Sequence, residues 1–589
     1  MLLYRLKRVV CLALLIVAGF PLAAQETFEN DTVMALEYLK DRGEVYFSFE
    51  SSITELRRLG KIISVDNYSD GVVFANANYP EFKVFLEEGI EFTVYSPPGE
   101  WYRTEKPDIE DLRIYLPYEE EPGESDWNYY PSYTEYLSLM RTWADNYPDL
   151  CEYIDAGESV EGRSILFMRI TGDIMQESPK PRFMYSSTMH GDETVGFVLM
   201  LRLIEYMLEN YPENPKVSSL LDNVEVWINP LANPDGAYFG GDTNIIDSPK
   251  RRNANNIDLN RNFPILDDPV YTSQGRQPET VAMMELMESG LFIMSANIHG
   301  GAEVMNYPWD SWKRGHADSL WFDYICREYA DTAILYSPSG YMTFLGGVTN
   351  GYAWYDIDGG RQDYVTYFTG GREITMEISN IKHPSADRLS GYWNYNWRSL
   401  LNFMEQAMFG INGRVADAVT GEAILARVEV VSHDFDSSVV YSDGADGWYY
   451  RLLEQGNYDL KVAADGYYSR FFEGVEVRRR QTTRLDIEME PVSVQAASSP
   501  ANSTDFLSIW PTPAGDIINI RIEIPESSMT GLALYDQTGR KVSQLYSRWT
   551  EKGVYYFTFD VSKISSGAYI LRINYGSSFT SRKVIIAGR

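Results

Sequence analysis

The chain has 589 residues, too many for a single domain, and carries a formal net charge of -33 at pH 7 with 14% aromatic residues. So acidic a balance argues against nucleic acid and anionic membranes as partners, and it favours solubility and cationic ligands. Three cysteines are too few for a disulfide framework, so stability has to come from core burial rather than cross-links.

The chain opens on a secretory pattern. Arg5, Lys7 and Arg8 precede an apolar run from Val9 to Phe20, and Leu22-Ala23-Ala24 offers a small-residue cleavage site, giving a signal peptide over 1–24. The run is too short for a stable membrane span, and no second candidate follows. Cys11 leaves with this segment. Cys151 and Cys326 have no spacing motif, so pairing between them stays open.

Residues 25–122 alternate strand and helix patterns. "GEVYFSFE" reads as a strand, "ITELRRLG" as a helix, "KIISVDNYSDGVVFANAN" as a hairpin and "YPEFKVFLEEG" as a second helix, with "IEFTVYSP" closing a small α/β unit. The acidic "YEEEPGESDW" reads as a linker. From 126 to 408, strands alternate with long helical patterns, as in a doubly wound or mixed α/β domain. Its apolar runs "LFMRIT", "RFMYSSTM", "VEVWINPL" and "LFIMSANI" each end in polar residues, which collects polar groups at strand C-termini, where α/β sheets place their sites. Residues 410–490 change to short alternating strands with Gly and Asp turns, a small β-sandwich. Residues 491–506 are small and polar, a flexible linker. Residues 507–589 are again short strands.

The central motif is "MYSSTMHGDETVGFVLMLRLIEYM". His190 ends a strand and Glu193 opens an amphipathic helix, so one imidazole and one carboxylate can face a common centre. Zinc in hydrolases takes two His and one Glu with a fourth position for water, but this spacing alone is weak evidence. The chain has only five histidines. Of these, His299 also ends an apolar run and is followed by Gly300 and Gly301, which let backbone approach a ligand. His316, His383 and His433 read as surface or structural.

The blocks "HGDE", "DLNRNFP", "NIHGGAEVMNYPWD", "GGVTNGYAWYDIDGGRQDY" and "EITMEIS" occur in the order and approximate spacing of the zinc carboxypeptidases. They resemble most the regulatory, carboxypeptidase N/E/D-type branch, over about 126–408. The resemblance implies a mixed eight-stranded sheet flanked by helices and one zinc ion per catalytic domain. It implies His190, Glu193 and His299 as ligands and Glu377 as general base. Arg251 is implied as the group that polarises the scissile carbonyl, although Arg252 is adjacent and the register between them stays open. Asn260 and Arg261 are implied to grip the terminal carboxylate, and Tyr355 to close over the substrate. In this branch an acidic residue after a Tyr-Pro-aromatic turn lines the pocket for the terminal side chain. Asp310 of "NYPWD" holds that position, with Gln362 of "GGRQDY" beside it. A carboxylate there pairs with Lys or Arg. The expected partners are therefore peptide and protein C-termini ending in Lys or Arg.

Residues 25–122 resemble the propeptide-like segments of secreted carboxypeptidases, which implies a folding aid or an inhibitor. Residues 410–490, on "INGRVADAVTGEAILARVEV" and "DGWYYRLLEQGNYDLKVAADGYY", resemble the transthyretin-like, carboxypeptidase regulatory-like sandwich. Residues 507–589, on "WPTPAGDIINIRI", "LALYDQTGRKV" and "SSGAYILRI", resemble the C-terminal sorting domain of the type IX secretion system, with Thr512 departing from the usual Asn between the prolines. That implies export to the outside or the cell surface through the type IX machinery. Two other readings remain at this point. One is a family member acting on cell-wall peptides or γ-linked glutamates, which Asp310 disfavours by like-charge repulsion. The other is an inactive peptide-binding protein.

Overall fold

In the strand Glu44–Glu50, Val45, Phe47 and Phe49 alternate with Glu44, Tyr46 and Ser48, and all six are buried. A strand buried on both faces needs cover on both, and the computed structural model supplies it. The structure describes residues 22–100, 127–175, 179–241, 243–267, 275–491 and, apart from single positions and short turns, 507–587. Almost all of the expected signal segment, most of the acidic linker and the linker 492–506 lie outside the described residues.

The N-terminal unit runs α1 (Leu22–Asp41), β1 (Glu44–Glu50), α2 (Ile53–Leu59), β2 (Ser64–Ser69), β3 (Val72–Asn78), α3 (Tyr79–Glu87) and β4 (Thr93–Tyr95), with strand order β2-β3-β1-β4. The sequence reading left α1 unassigned. The side chain of Ser52 caps α2 by accepting from Glu55 N–H. At α3, Asn78 and Glu81 form a capping box, and Glu81 also binds Arg252 of the next domain. Phe47 packs against Phe82 and Phe85, so aromatic rings fill this small core. The opposite face of β1 meets the catalytic domain.

That domain contains α4 (Tyr133–Asn146), β5 (Cys151–Glu158), β6 (Ser164–Ile170), β7 (Arg182–Ser187), α5 (Val195–Asn210), α6 (Pro215–Asn223), β8 (Glu225–Asn229), α7 (Pro278–Ser289), β9 (Phe292–His299), β10 (Ala302–Tyr307), α8 (Ser319–Leu335), β11 (Val348–Asn350), β12 (Arg372–Ser379) and α9 (Leu389–Glu405). The strands form one mixed eight-stranded sheet in the order β11-β10-β12-β9-β7-β8-β6-β5. Side chains alternate between two cores. Phe183 and Tyr185 face α5 and α9, while Met184 faces the methionines of α7. Strands β7, β8, β9 and β12 run parallel, so their C-terminal ends share one edge. Strand β6 runs antiparallel to β8, because a short connection from β5 makes it the return arm of a hairpin. Its polar end at Thr171 therefore lies at the opposite edge, contrary to the expectation that all four apolar runs end together. Cys151 and Cys326 are both free and buried.

Eight strands between Gly410 and Met489 form two four-stranded sheets, and seven more between Leu507 and Ile586 form sheets of three and four. A fully buried ion network ties the first of these units to the catalytic domain. Arg451 donates to both oxygens of Asp318 at 2.8 and 2.9 Å and to Asp434 at 2.5 Å, and Arg372 donates to Asp318 at 2.8 Å. Asp318, Asp434 and His433 lie close enough together to hold an ion. The two guanidiniums already balance the two carboxylates, so the cluster is an interdomain brace. Breaking a buried pair from one side leaves an uncompensated charge. Arg451→Met is expected to destabilise the joined domains by about 3 kcal/mol or more, read as a lower denaturant midpoint.

Candidate metal centre and active site

Thr188 takes a left-handed backbone (φ 58°) just after β7, and the chain then turns through Gly191 before α5 begins at Val195. Gly191 lies against the backbone of Gly236 and Ala237, and its N–H donates to Arg251 C=O at 3.1 Å. A side chain there would push this loop away. The turn places His190 and Glu193 side by side, with His190 Nδ1 2.9 Å from Glu193 Oε1. His299 arrives from the end of β9, its Nδ1 2.7 Å from Glu193 Oε2 and 3.1 Å from His190 Nδ1. All three residues are buried.

The outer nitrogens of the two imidazoles are occupied. His190 Nε2 is 3.1 Å from Asp258 Oδ1, which orients the ring and places its proton outward. His299 Nε2 lies 2.9 Å from Asn297 Nδ2, and Asn297 Oδ1 is buried with no partner among the described residues. Turning that amide by 180° brings its oxygen to Nε2–H, satisfies both groups and leaves the Nδ1 lone pair pointing inward. Burial pushes the His299 imidazole down to about 4, which keeps it in the neutral, ligating form. Two inward lone pairs 3.1 Å apart beside a carboxylate call for a cation between them. The separations of 2.7–3.1 Å approach the roughly 3.3 Å edge of a tetrahedron with bonds of about 2.0–2.1 Å. The donor set of two nitrogens and one carboxylate fits zinc.

Glu377 stands beside this group. In the parallel pairing of β9 and β12 it is the direct partner of His299, so the two residues sit on neighbouring strands about 5 Å apart. Its Oε2 is buried with no partner among the described residues. Burial, and then the negative charge of Glu193, holds its carboxyl well above the usual range. Arg251 reaches into the same space, Nη1 3.5 Å from Glu193 and Nε 3.0 Å from Asp258. Arg252 turns the other way, toward Ser64, Asn76 and Glu81 of the N-terminal unit.

Asn260, Arg261, Tyr355 and Glu377 line one pocket with His190, Glu193, His299 and Arg251. Asn260 is fixed through Arg361 N–H, which donates to its Oδ1 at 3.0 Å. Asp310 lies behind the pocket, where its Oδ1 accepts from Asn306 at 3.2 Å and Gln362 at 2.8 Å. Burial, then the charge of Asp363, pushes the Asp310 carboxyl well up. Gly351 is required here, since any Cβ would run into Asp310. His316 and His383 are buried and away from the centre. One packs on Trp309 and Phe322, and the other meets Thr194 Oγ1 at 2.8 Å.

Four groups at this centre are absent from the sequence expectations. Asp258 sits inside the quoted "DLNRNFP" block, where a carboxylate three residues before an Arg carries no signal of its own. Lys382, whose Nζ is 2.9 Å from Glu193, follows Glu377 by five residues. Asn306 stands in the quoted "NYPWD" block. Asp66 comes from the N-terminal unit. Its carboxylate binds Arg251 at 2.8 Å and Lys382 at 2.5 Å, while Arg261 donates to Val65 C=O at 3.2 Å and Tyr355 to Asp66 C=O at 3.3 Å.

Comparison with known proteins adds three family matches. Residues 136–399 match the zinc carboxypeptidase model, 410–490 the carboxypeptidase regulatory-like domain and 508–587 the secretion system C-terminal sorting domain. Carboxypeptidase D of Homo sapiens is 36% identical over 345 residues, 56% of this chain and 24% of that protein. Carboxypeptidase M of Mus musculus is 34% identical over 351 residues, 56% of this chain and 77% of that protein. The match thus spans about a quarter of the carboxypeptidase D relatives. Among solved structures, a carboxypeptidase A from Helicoverpa armigera aligns at 18% identity with a TM-score of 0.47, covering 62% of this chain and 98% of that one. No described helix is long and apolar enough to cross a membrane.

Proposed function

The chain belongs to the zinc carboxypeptidase family, and from that premise we propose that it is an exported metallocarboxypeptidase that releases single Lys or Arg residues from peptide C-termini. The convergence of His190, Glu193 and His299 next to Glu377 carries the reading. His190 Nδ1, His299 Nδ1 and the Glu193 carboxylate would hold zinc. When bound, zinc supplies a Lewis acid and lowers the pKa of water in the site from about 16 toward about 7.

The chain's own residues divide the remaining work. Glu377 takes a proton from the attacking water and returns it to the departing amine nitrogen. Arg251 donates to the scissile carbonyl oxygen as negative charge builds there. Arg261 and Asn260 bind the free terminal carboxylate, which restricts cleavage to the last peptide bond. Tyr355 covers the bound residue. Asp310 pairs with the basic terminal side chain, whereas an aliphatic one would leave that buried carboxylate unpaired. The N-terminal unit, with Asp66 across Arg251 and Lys382, acts as an inhibitor until it is displaced. The domain matching the sorting model directs export by the type IX machinery.

The test uses peptides identical except for a final Lys, Leu or Glu, incubated with protein freed of its N-terminal unit by cleavage between the two units, with and without a chelator, products being weighed by mass spectrometry. Loss of one Lys, stopped by chelation and restored by zinc, is expected. Internal cleavage, chelator-resistant activity, or retention of peptide without product would reject the reading. Asp310→Asn is expected to lower kcat/KM for the Lys peptide by about 10²-fold or more while sparing the small residual turnover of the Leu peptide.

A further inference from the structure

We propose that Arg252 binds an acidic side chain of the substrate once the N-terminal unit has left, so that the chain favours peptides carrying Asp or Glu a few residues ahead of the terminal basic one. This rests on the carboxypeptidase function proposed above and on removal of that unit.

Arg252 is answered almost entirely from outside its own domain. Its Nε donates to Asn76 Oδ1 at 2.8 Å, and its Nη2 to Glu81 Oε2 at 2.6 Å, Ser64 Oγ at 2.9 Å and Asn76 C=O at 3.4 Å. Nη1 donates to Glu81 Oε1 and to Asn256 C=O, both at 3.3 Å. Of these partners only Asn256 belongs to the catalytic domain, and Glu81 is the one carboxylate paired with this guanidinium among the described residues. The neighbouring cations differ. Arg251 is held by Asp66 but also has Asp258 at 3.0 Å. Lys382 is held by Asp66 but also has Glu193 at 2.9 Å. Departure of the N-terminal unit therefore leaves those two with a carboxylate of their own domain, and Arg252 with a single carbonyl.

Arg252 also lies on the path of a chain through the site. Consecutive residues of β2 contact it and the groups proposed to handle substrate: Ser64 meets Arg252, Val65 meets Arg261, and Asp66 meets Arg251 and Tyr355. An extended chain advances only about 3.3 Å per residue, so a peptide whose end is held by Arg261 has residues within side-chain reach of Arg252. The loop that bears Arg252 is fixed from the catalytic side as well. Asn253 Oδ1 accepts from the N–H groups of Asn255 and Ile257, its Nδ2 donates to Glu279 at 3.0 Å, and Lys250 N–H donates to Gly236 C=O at 2.9 Å. The guanidinium thus stays in place when its cover goes.

A guanidinium freed in this way is a fork for a carboxylate, and it already grips both oxygens of Glu81. An incoming Asp or Glu side chain restores that pairing. A basic one meets a like charge and is disfavoured.

The experiment is an internal competition among peptides that all end in Lys and differ only by Glu, Ser or Lys at one of the three positions before it, with one mixture for each position. Protein cleaved between the two units and freed of the N-terminal one is added, and initial rates of loss of the terminal Lys are followed by mass spectrometry. Rates within one mixture compare kcat/KM directly, so partial activation or partly folded protein cancels. At one or more positions the Glu peptide is expected to be cleaved faster than the Ser peptide by about three- to tenfold, and the Lys peptide more slowly. The spread should shrink as salt is raised from about 0.05 M to about 0.5 M. Arg252→Gln should flatten the order and Arg252→Glu reverse it, with cleavage of the Ser peptide little changed. Equal rates at all three positions overturn the proposal and confine Arg252 to clasping the N-terminal unit, while leaving the proposed function intact. A Glu preference that Arg252→Gln retains overturns the assignment to this residue. If no peptide loses its Lys, the proposed function fails instead, and calorimetry of the Glu and Lys peptides with the zinc-free protein still decides whether Arg252 reads the acidic side chain.

Discussion

Glu377→Gln is expected to lower kcat by about 10²–10⁴-fold with KM little changed, because it removes a proton acceptor that acts only as the transition state forms. The side chain keeps its size and its place on β12, so the pairing with His299 persists. Its carboxyl is held well above the ordinary range by burial and by Glu193. Because Gln carries no buried charge, folding stability should not fall. Metal content should also stay at one zinc per chain, since the three inward donors are untouched. Glu193→Gln makes the contrast: activity and metal should be lost together. Metal analysis and steady-state kinetics on both variants check this. Activity of Glu377→Gln within tenfold of the parent protein would remove Glu377 from the chemistry.

Much of this centre is legible from local pattern, and what is not has a physical cause. His190 and His299 are visible because one follows an apolar strand by three residues and the other closes one, and parallel strands bring such ends to one edge. The same rule misplaces Thr171, since periodicity reveals that β6 is a strand but not which way it runs; direction is set by the length of the connection before it. Arg251 and Arg252 are equivalent as neighbours in sequence. They separate only in the fold, where Asp258 and Glu193 draw one guanidinium inward and Glu81 and Asn76 draw the other out. Lys382 and Asp258 have no periodicity, spacing or composition to mark them, because their role is to pair with groups far away in the chain. Asp66 is harder still. It depends on a one-residue irregularity in a hairpin whose two strands read plainly.

That irregularity carries the second large effect. Strand β2 is the edge of its sheet. Its pairing with β3 passes from Val65–Ala75 to Asn67–Phe74, leaving Asp66 as the extra residue of a bulge. Bulges re-aim a side chain, and this one sends the Asp66 carboxylate to Arg251 Nη1, Lys382 Nζ and Tyr46 OH. Meanwhile the Val65 and Asp66 carbonyls occupy Arg261 and Tyr355. Three of the groups proposed to handle substrate, Arg251, Arg261 and Tyr355, are therefore already bound by the chain's own segment. Full-length protein is expected to be nearly inactive. Cleavage after Arg103, Lys106 or Arg113 between the two units, followed by loss of the N-terminal one, should raise kcat/KM by about 10²-fold or more, the scale set by buried charge pairs worth about 2–5 kcal/mol. Asp66→Ala in the uncut chain should give a smaller rise, about tenfold, because the two carbonyl contacts remain. The N-terminal unit also holds the loop that bears Arg251, since Glu44 accepts from the N–H groups of both Arg251 and Arg252. Glu44→Gln should therefore lower thermal stability without raising activity, which separates a scaffold contact from an inhibitory one. Cut protein that remains folded and zinc-loaded yet gains nothing over the uncut chain would show that Asp66 does not block the site.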